Sequence, residues 1–452
     1  MVLMQLLRLC VLFAFLILFV TATSMTAVGA SLMDDYPDLE YLEALINEEE
    51  ISPMHLLAYR AVNVAMERLG FQRGNIDVLV ITNAGASIIM DEYPTSDCLD
   101  ALALISGCCE SRGNLISVNS PKWKAVWFAF YRKGSGDCVY IEANSNVLAS
   151  YMEEWRAATN KGAVLEAFMN LADEELFERV AVENVGAENL LNNPEAWHER
   201  MESKVFGGNE FSIMTIAACW DKGLPYELYR AAELHNHICP GLISGTIIIE
   251  YLDKYLPIQE NDQYYIILAV PPWCKDDAFQ AVYDSTVGKR RMTVMMLSRE
   301  QSQQLPSNVA GIYVRWDRGD GRGDAVVLTF DWDRACEQSG IERSWFKDFN
   351  TYKWWYARLK MDLDLLDKLG EPEELVSTVE EFTIESSSEL TNLRIAGVNP
   401  YVNIGLMPAP EQETIEVQVE VVPTWIYAVI AILILVTILI TTACIVKLRK
   451  TR

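Results

Sequence analysis

The sequence predicts an α+β protein with two tandem domains and one C-terminal transmembrane helix. The tandem domains rest on two observations: helix-like and strand-like segments follow in the order α-β-α-β-β-β, and this order recurs after about 180 residues. The transmembrane helix is predicted from a third observation, which is an uncharged apolar run near the C-terminus. We therefore expect an internal duplication that is tethered to a membrane.

The N-terminus has the pattern of a secretory signal peptide. Arg8 precedes a long apolar run, and small residues follow as far as Ala30. We predict cleavage after Ala30, with a site nearer Ala22 as the alternative. The remaining chain would then be exported.

The first copy follows the signal. After an acidic helical stretch, Ser52 and Pro53 have the residue types of a helix start, and Gly70 has that of a helix end. A hairpin turn joins the last two predicted strands. The remaining elements are a strand over 76–81, a helix over 98–108 and strands over 114–119, 125–131 and 138–142. Residues 146–208 are predicted to be largely helical, with a break at 192–194.

The second copy repeats this order, and a mixed acidic extension follows it. Its predicted elements are helices over 226–234 and 240–256, a strand over 264–270, a helix over 275–287 and strands over 292–297, 311–316 and 325–330. The glycines at 241 and 245 would share one helix face, where we favour close packing on the sheet over approach of a partner helix or a ligand.

The C-terminal segment 425–446 is long enough to span a bilayer. Basic residues follow it directly, so the positive-inside rule places the tail in the cytoplasm and the rest of the protein outside the cell membrane. The chain thus divides into a signal peptide (1–30), a first domain (31–185), a linker (186–211), a second domain with an extension (212–407), a stalk (408–424), a single membrane span (425–446) and a cytoplasmic tail (447–452).

The net charge of −26 argues against nucleic acid as a partner, because nucleic acid requires a basic surface. The expected partners are the membrane and a metal ion. A homo-oligomer and other protein partners stay open.

Two of the four histidines lie in one short motif, His235, His237 and Cys239. In an extended segment, residues two apart project to the same face, which would gather two imidazoles and a thiol. This donor set suits a borderline-soft metal such as Zn²⁺. The alternative is a surface strand that meets a core helix, with Cys239 as a buried free thiol.

Cys274 is the fourth candidate ligand, because the strand before it can return beside Cys239. Asp277 is a candidate hydrogen-bond partner for an imidazole N–H. Asp277 and Lys289 are also the catalytic candidates if the metal acts as a Lewis acid. The competing interpretation is a disulfide between Cys239 and Cys274, which an exported protein permits. In the first copy, residues 48–52 replace the motif and carry none of its histidines or cysteines.

The second copy resembles the FmdE domain family of formylmethanofuran dehydrogenase. The resemblance lies in residues 235–242 with Gly245, then Cys274 and 277–280, then 286–289. The first copy is similar to a diverged member that keeps 100–101 and 107–115. The resemblance implies a domain like the catalytic domain of glyceraldehyde-3-phosphate dehydrogenase, a metal held by His235, His237, Cys239 and Cys274, and a methanogenic archaeal source.

Together these observations predict a cell-surface protein whose second domain binds zinc, another transition metal or a small ligand. Two other classes stay open. One is a metal-dependent enzyme related to formylmethanofuran and C1 metabolism. The other is a structural envelope or interaction module in which Cys239 and Cys274 are bonded to each other.

Overall fold

The computed structural model of the protein describes residues 36–43, 50–409 and 424–450. The predicted signal peptide and residues 410–423 of the predicted stalk lie outside the described residues. The chain divides into two compact units, Met1–Ile404 and Gly405–Arg452.

Among the described residues, the first half of the larger unit contains seven strands, two of them very short. Its elements are α1 (Glu40–Glu43), α2 (Pro53–Leu69), β1 (Val78–Thr82), β2 (Ile88–Ile89), β3 (Tyr93–Pro94), α3 (Asp97–Ser106), β4 (Leu115–Ser117), β5 (Trp127–Arg132), β6 (Asp137–Ala143), α4 (Ser145–Ala157), α5 (Lys161–Met169), α6 (Asp173–Leu176), β7 (Phe177–Asn184), α7 (Ala187–Asn192) and α8 (Pro194–Glu202).

The second half begins with two helices before its own sheet. Its elements are α9 (Glu210–Gly223), α10 (Tyr226–His235), α11 (Pro240–Tyr255), β8 (Gln263–Ala269), α12 (Lys275–Tyr283), β9 (Met292–Val294), α13 (Arg299–Ser302), β10 (Val309–Asp317), β11 (Arg322–Phe330), α14 (Trp332–Ser339), α15 (Lys353–Leu366), β12 (Val376–Ile384), α16 (Ser387–Leu393) and α17 (Pro400–Asn403).

Each half contains a five-stranded mixed sheet, and the two sheets have the same topology. The first has the order β4-β1-β5-β6-β7, and the second has the order β9-β8-β10-β11-β12. In each, one pair of strands is parallel and the other pairs are antiparallel. The order α-β-α-β-β-β is therefore confirmed in both copies. The likeness to the catalytic domain of glyceraldehyde-3-phosphate dehydrogenase stays a prediction.

The sequence did not predict the fifth strand of either sheet. In β7 the apolar Val180 and Val182 are 41% and 47% exposed, while Arg179 and Glu183 are half-buried. This strand lies at the sheet edge, where one face need not be apolar, so its alternation carries little signal for a strand. The prediction of a largely helical segment was wrong over these residues.

Some boundaries also differ in the second copy. The helix predicted over 275–287 ends at Tyr283, because Asp284 adopts a left-handed conformation with φ 55°. The strand predicted over 292–297 ends at Val294.

The two copies share a hydrophobic core. In β1, Val78 and Val80 belong to a core inside the first copy, whereas Leu79 and Ile81 face a core that includes α9 and α10 of the second half. Trp197, which lies between the copies in sequence, is buried in this shared core. Residues 186–211 therefore pack as part of the compact unit, and the domain boundaries stay a prediction.

The smaller unit contains α18 (Thr424–Lys450). Its segment Trp425–Ile445 is long and apolar enough to cross a membrane, with a mean hydropathy of 2.9 over its most apolar window. By length and composition, this helix is a candidate single-pass anchor. The orientation of the chain in the membrane stays a prediction.

Candidate metal centre

The motif lies in a turn between two helices. His235 is the last residue of α10, Asn236 follows with φ 72°, and Cys239 caps the N-terminus of α11. The extended run predicted over 235–239 is therefore wrong. Asn tolerates the left-handed conformation that ends a helix, and this conformation turns the chain back toward α11.

The turn nevertheless gathers the three donors. His235 Nε2 lies 3.6 Å from Cys239 Sγ, and the ring centroids of His235 and His237 are 4.3 Å apart. One ligand atom from each of the three residues lies within 4.8 Å of the others. Tetrahedral zinc, with bonds of about 2.0 Å to nitrogen and about 2.3 Å to sulfur, requires an N···S separation of about 3.6 Å. The spacing of His235 Nε2 and Cys239 Sγ thus matches that of two zinc ligands, and the group of three could hold a metal ion.

Asp277 fixes the orientation of the first imidazole. Its Oδ2 lies 2.6 Å from His235 Nδ1, and Gln280 Nε2 donates to its Oδ1 at 2.9 Å. Because Nδ1 is occupied by the carboxylate, Nε2 is the nitrogen left to face Cys239. Metal-binding histidines commonly donate their second N–H to a carboxylate, and the predicted role of Asp277 is consistent with this arrangement.

Cys274 is hydrogen-bonded to Cys239, and both are free thiols. The alternative of a disulfide between them is therefore wrong for this structure. A Cβ placed on Gly241 would lie 3.3 Å from Cys274 Sγ, so α11 closely approaches this thiol. The hydrogen bond from Cys239 lowers the pKa of Cys274 to about 5, against the effect of burial and with help from His235. The same hydrogen bond, together with burial, raises the pKa of Cys239 well above its usual value.

The two imidazoles differ in charge. Burial lowers the pKa of His237 to about 3, and the neighbouring charges of His235 and Arg358 act in the same direction. Burial also disfavours the charged form of His235, but its hydrogen bonds with Asp277 and Cys274 outweigh it and raise the pKa to about 9. Neutral imidazole and thiolate are the forms that bind metals, so the pKa shifts of His237 and Cys274 favour metal binding, whereas His235 and Cys239 would each have to release a proton.

The sequence analysis missed two ionisable residues near the cluster, both on α15. The charge of Arg358 interacts with Cys239 and Cys274, and Asp362 is fully buried close to them. Neither carboxylate oxygen of Asp362 has a hydrogen-bond partner among the described residues. Burial raises its pKa well above the usual value. In the sequence, the signal for Asp362 was its position between the apolar residues Met361 and Leu363.

Lys289 lies apart from this group of residues. Its Nζ pairs with the Asp284 carboxylate, and its side chain is 53% exposed. The structure thus brings His235, His237 and Cys239 into one group, with Asp277 on His235. Cys274 lies beside Cys239 and His235, but it is not one of the three residues whose ligand atoms lie within 4.8 Å of one another. The structure gives Lys289 an exposed ion pair instead.

The first copy has an oxygen-based pair at the corresponding corner. Ser52 caps α2 as Cys239 caps α11, and Asp97 begins α3 where Cys274 precedes α12. Ser52 Oγ donates to Asp97 Oδ2 at 2.8 Å and lies 3.0 Å from Nδ1 of the buried His55. Residues 44–49, which include two of the acidic residues that replace the motif, lie outside the described residues.

Comparison with known families agrees with the duplication. The model of the family described as "FmdE, Molybdenum formylmethanofuran dehydrogenase operon" matches residues 50–182 and 234–362. The fold and the candidate metal centre thus define a duplicated FmdE-type protein. Because the two matches span more than half of the chain, the protein belongs to the FmdE family. No curated protein matches it.

Proposed function

We propose that the second copy binds one zinc ion through His235, His237, Cys239 and Cys274. The observation that carries this proposal is the 3.6 Å separation of His235 Nε2 and Cys239 Sγ, with His235 Nδ1 held by Asp277. Two imidazoles and two thiols form a set that favours zinc over the hard cations Mg²⁺ and Ca²⁺. We further propose that the domain boundaries are those predicted from the sequence.

We also propose that this site is displayed at the surface of a methanogen-type archaeal cell. The apolar helix and the basic residues after Ile445 support a single-pass anchor with a cytoplasmic tail. The signal-like N-terminus and the acidic composition support export of the domains. The site would then bind metal, or a small ligand of the metal, outside the cell.

A metal-dependent enzyme of C1 or formylmethanofuran metabolism is the second candidate. It is favoured by a cavity of about 480 Å³ that Cys239 and Cys274 help to line. Bound zinc would supply a Lewis acid. Asp277 is hydrogen-bonded to His235, so in this enzyme it would orient a ligand. Lys289 would have to leave Asp284 before it could assist.

Metal analysis of the full-length protein in detergent tests the proposed site. Wild type is expected to retain about one zinc ion per chain, and His237→Ala and Cys239→Ser are expected to weaken zinc binding by about 10-fold or more, because each removes a ligand. Inductively coupled plasma mass spectrometry after equilibration with buffered zinc gives the measurement.

The matched controls are His198→Ala and Cys109→Ser. His198 lies beside Glu202 on α8, and Cys109 lies beside Ser111, so neither belongs to the cluster. Both controls should bind zinc as wild type does. Equal zinc content in wild type and in the two ligand variants would refute the site.

A further inference from the structure

We propose that the cavity beside the two cysteines binds a small organic anion with a flat apolar body. The cavity has a volume of about 480 Å³ and lies among the starts of α11 and α12, α14 and α15. The proposal rests on the proposed function in one respect, because it places one end of the anion beside the metal ligands Cys239 and Cys274. The charged and aromatic walls of the cavity do not depend on the metal.

The charge of the cavity is opposite to that of the protein. Its lining includes three basic residues, Arg343, Lys347 and Arg358, and no acidic residue. The chain as a whole has a net charge of −26, which repels anions at long range. The basic lining therefore favours binding of an anion once the anion is in contact with the cavity.

Arg358 is fixed in position for this role. Its Nη1 donates to the backbone carbonyls of Trp354 at 2.6 Å and Phe346 at 3.2 Å. No carboxylate among the described residues forms an ion pair with its guanidinium. The guanidinium also lies over the rings of Phe346, Phe349 and Trp354. A carboxylate or phosphate at this wall would bind its other N–H donors with matching geometry.

The other two cations differ in how far they are already neutralised. Lys347 is exposed and has no carboxylate partner among the described residues. Arg343 donates to Asp333 at 2.7 Å, so part of its charge is already compensated. Arg358 and Lys347 are therefore the residues expected to contribute most to anion binding.

Two indole rings form the apolar wall. The ring centroids of Trp273 and Trp332 are 6.2 Å apart, with an angle of 66° between the planes. Trp273 Nε1 donates to Ser244 Oγ at 3.1 Å, and Lys275 Nζ lies 4.2 Å from the ring centroid. These contacts hold the Trp273 ring, which lowers the entropic cost of binding a flat molecule against it.

Calorimetric titration of the full-length protein in detergent with 2-naphthoate tests the proposal. The probe carries one carboxylate on a flat apolar body, and 2-naphthylmethanol is its neutral counterpart. We expect 2-naphthoate to bind to wild type and 2-naphthylmethanol to bind at least about 10-fold more weakly, because a charge-assisted hydrogen bond is lost.

Variants of the cations locate the binding. Arg358→Gln is expected to weaken 2-naphthoate binding about 10-fold or more, with partial rescue in Arg358→Lys. Lys347 lies on the surface, so we expect Lys347→Gln to keep the fold intact and to weaken 2-naphthoate binding about two- to fivefold. The control is Lys360→Gln on the same helix as Arg358, since Lys360 pairs with Asp364 and does not line the cavity.

The outcomes separate this proposal from the metal site. Binding of 2-naphthoate that depends on Arg358 supports the anion site, including in His237→Ala, which removes a metal ligand that does not line the cavity. A zinc-loaded wild type that fails to bind 2-naphthoate at millimolar concentration overturns it. The proposal is also overturned if 2-naphthylmethanol or inorganic phosphate binds to wild type as tightly as 2-naphthoate does. It is likewise overturned if Arg358→Gln and Lys347→Gln bind 2-naphthoate as tightly as wild type does.

Discussion

At the residue scale, the two copies place different chemistry at the same corner of one fold. The second copy has Cys239 beside Cys274, and the first has Ser52 hydrogen-bonded to Asp97 at 2.8 Å. Each pair joins the start of one helix, α2 or α11, to the start of the helix that follows the next long strand, α3 or α12. Because the Ser–Asp pair occupies this corner with oxygen atoms, we expect that folding does not require the thiols.

The double variant Cys239→Ser with Cys274→Asp tests this argument. It recreates the first copy's pair in the second copy, so we expect a folded protein whose melting temperature in chelator lies within about 5 °C of wild type. Zinc binding should be lost, because two thiolate donors are gone. Circular dichroism melting and metal analysis provide the measurements, and wild-type zinc content in the double variant would contradict the prediction.

At the element scale, the approach of α11 to α12 positions the site. A Cβ on Gly245 would lie 2.6 Å from the backbone oxygen of Lys275 and 2.8 Å from Ala278 Cβ. The expectation that this glycine packs on the sheet was therefore wrong, because its neighbour is the partner helix. The close contact holds the start of α12, and with it Cys274, against α11. Glycine is required because any side chain would separate the helices.

Gly245→Ala is therefore expected to lower the free energy of unfolding by about 1–2 kcal/mol, even after the gain in helix propensity. It should also weaken zinc binding, because Cys274 is displaced. Chemical denaturation and zinc titration measure both effects. Gly288→Ala is the control, since a Cβ there meets no atom within 4 Å, and a Gly245→Ala protein as stable as this control would refute the close-contact argument.

At the scale of the whole molecule, the shared core joins the copies into one unit. Trp220 on α9 donates to the backbone oxygen of Gly113 at 2.7 Å and packs edge-on against Tyr131 of the first sheet. Asn119 N donates to Glu233 O at 2.7 Å, close to the motif. The first copy thus packs against α9 and α10, and His235 is the last residue of α10. We therefore expect the first copy to support the candidate metal centre.

The shared core predicts that a defect in the first copy weakens the second. Phe128→Ala lies in the core inside the first copy and is expected to cost about 3–5 kcal/mol. If the unit unfolds cooperatively, hydrogen exchange should accelerate in β10 of the second sheet as well as in β5. Peptide-level mass spectrometry measures this, with the exposed Val180→Ala as control. Faster exchange restricted to the first copy would exclude coupling.

The sequence alone determined the features that depend on local pattern. Periodicity predicted the repeated element order, the membrane-span candidate followed from length and lack of charge, and the two histidines and Cys239 were already adjacent in the chain. The family resemblance then supported Cys274 as a further ligand. These features were readable because each depends on residues that are close together in sequence or on a known motif.

Only the tertiary structure decided how the donors meet and what surrounds them. The left-handed Asn236, the carboxylate of Asp277 on His235 and the positions of Arg358 and Asp362 all follow from α10, α11, α12 and α15 packing together. The shared core and the edge strands are equally non-local. Such contacts join residues that can be a hundred positions apart, so no local pattern specifies them, and burial of the common apolar surface selects them.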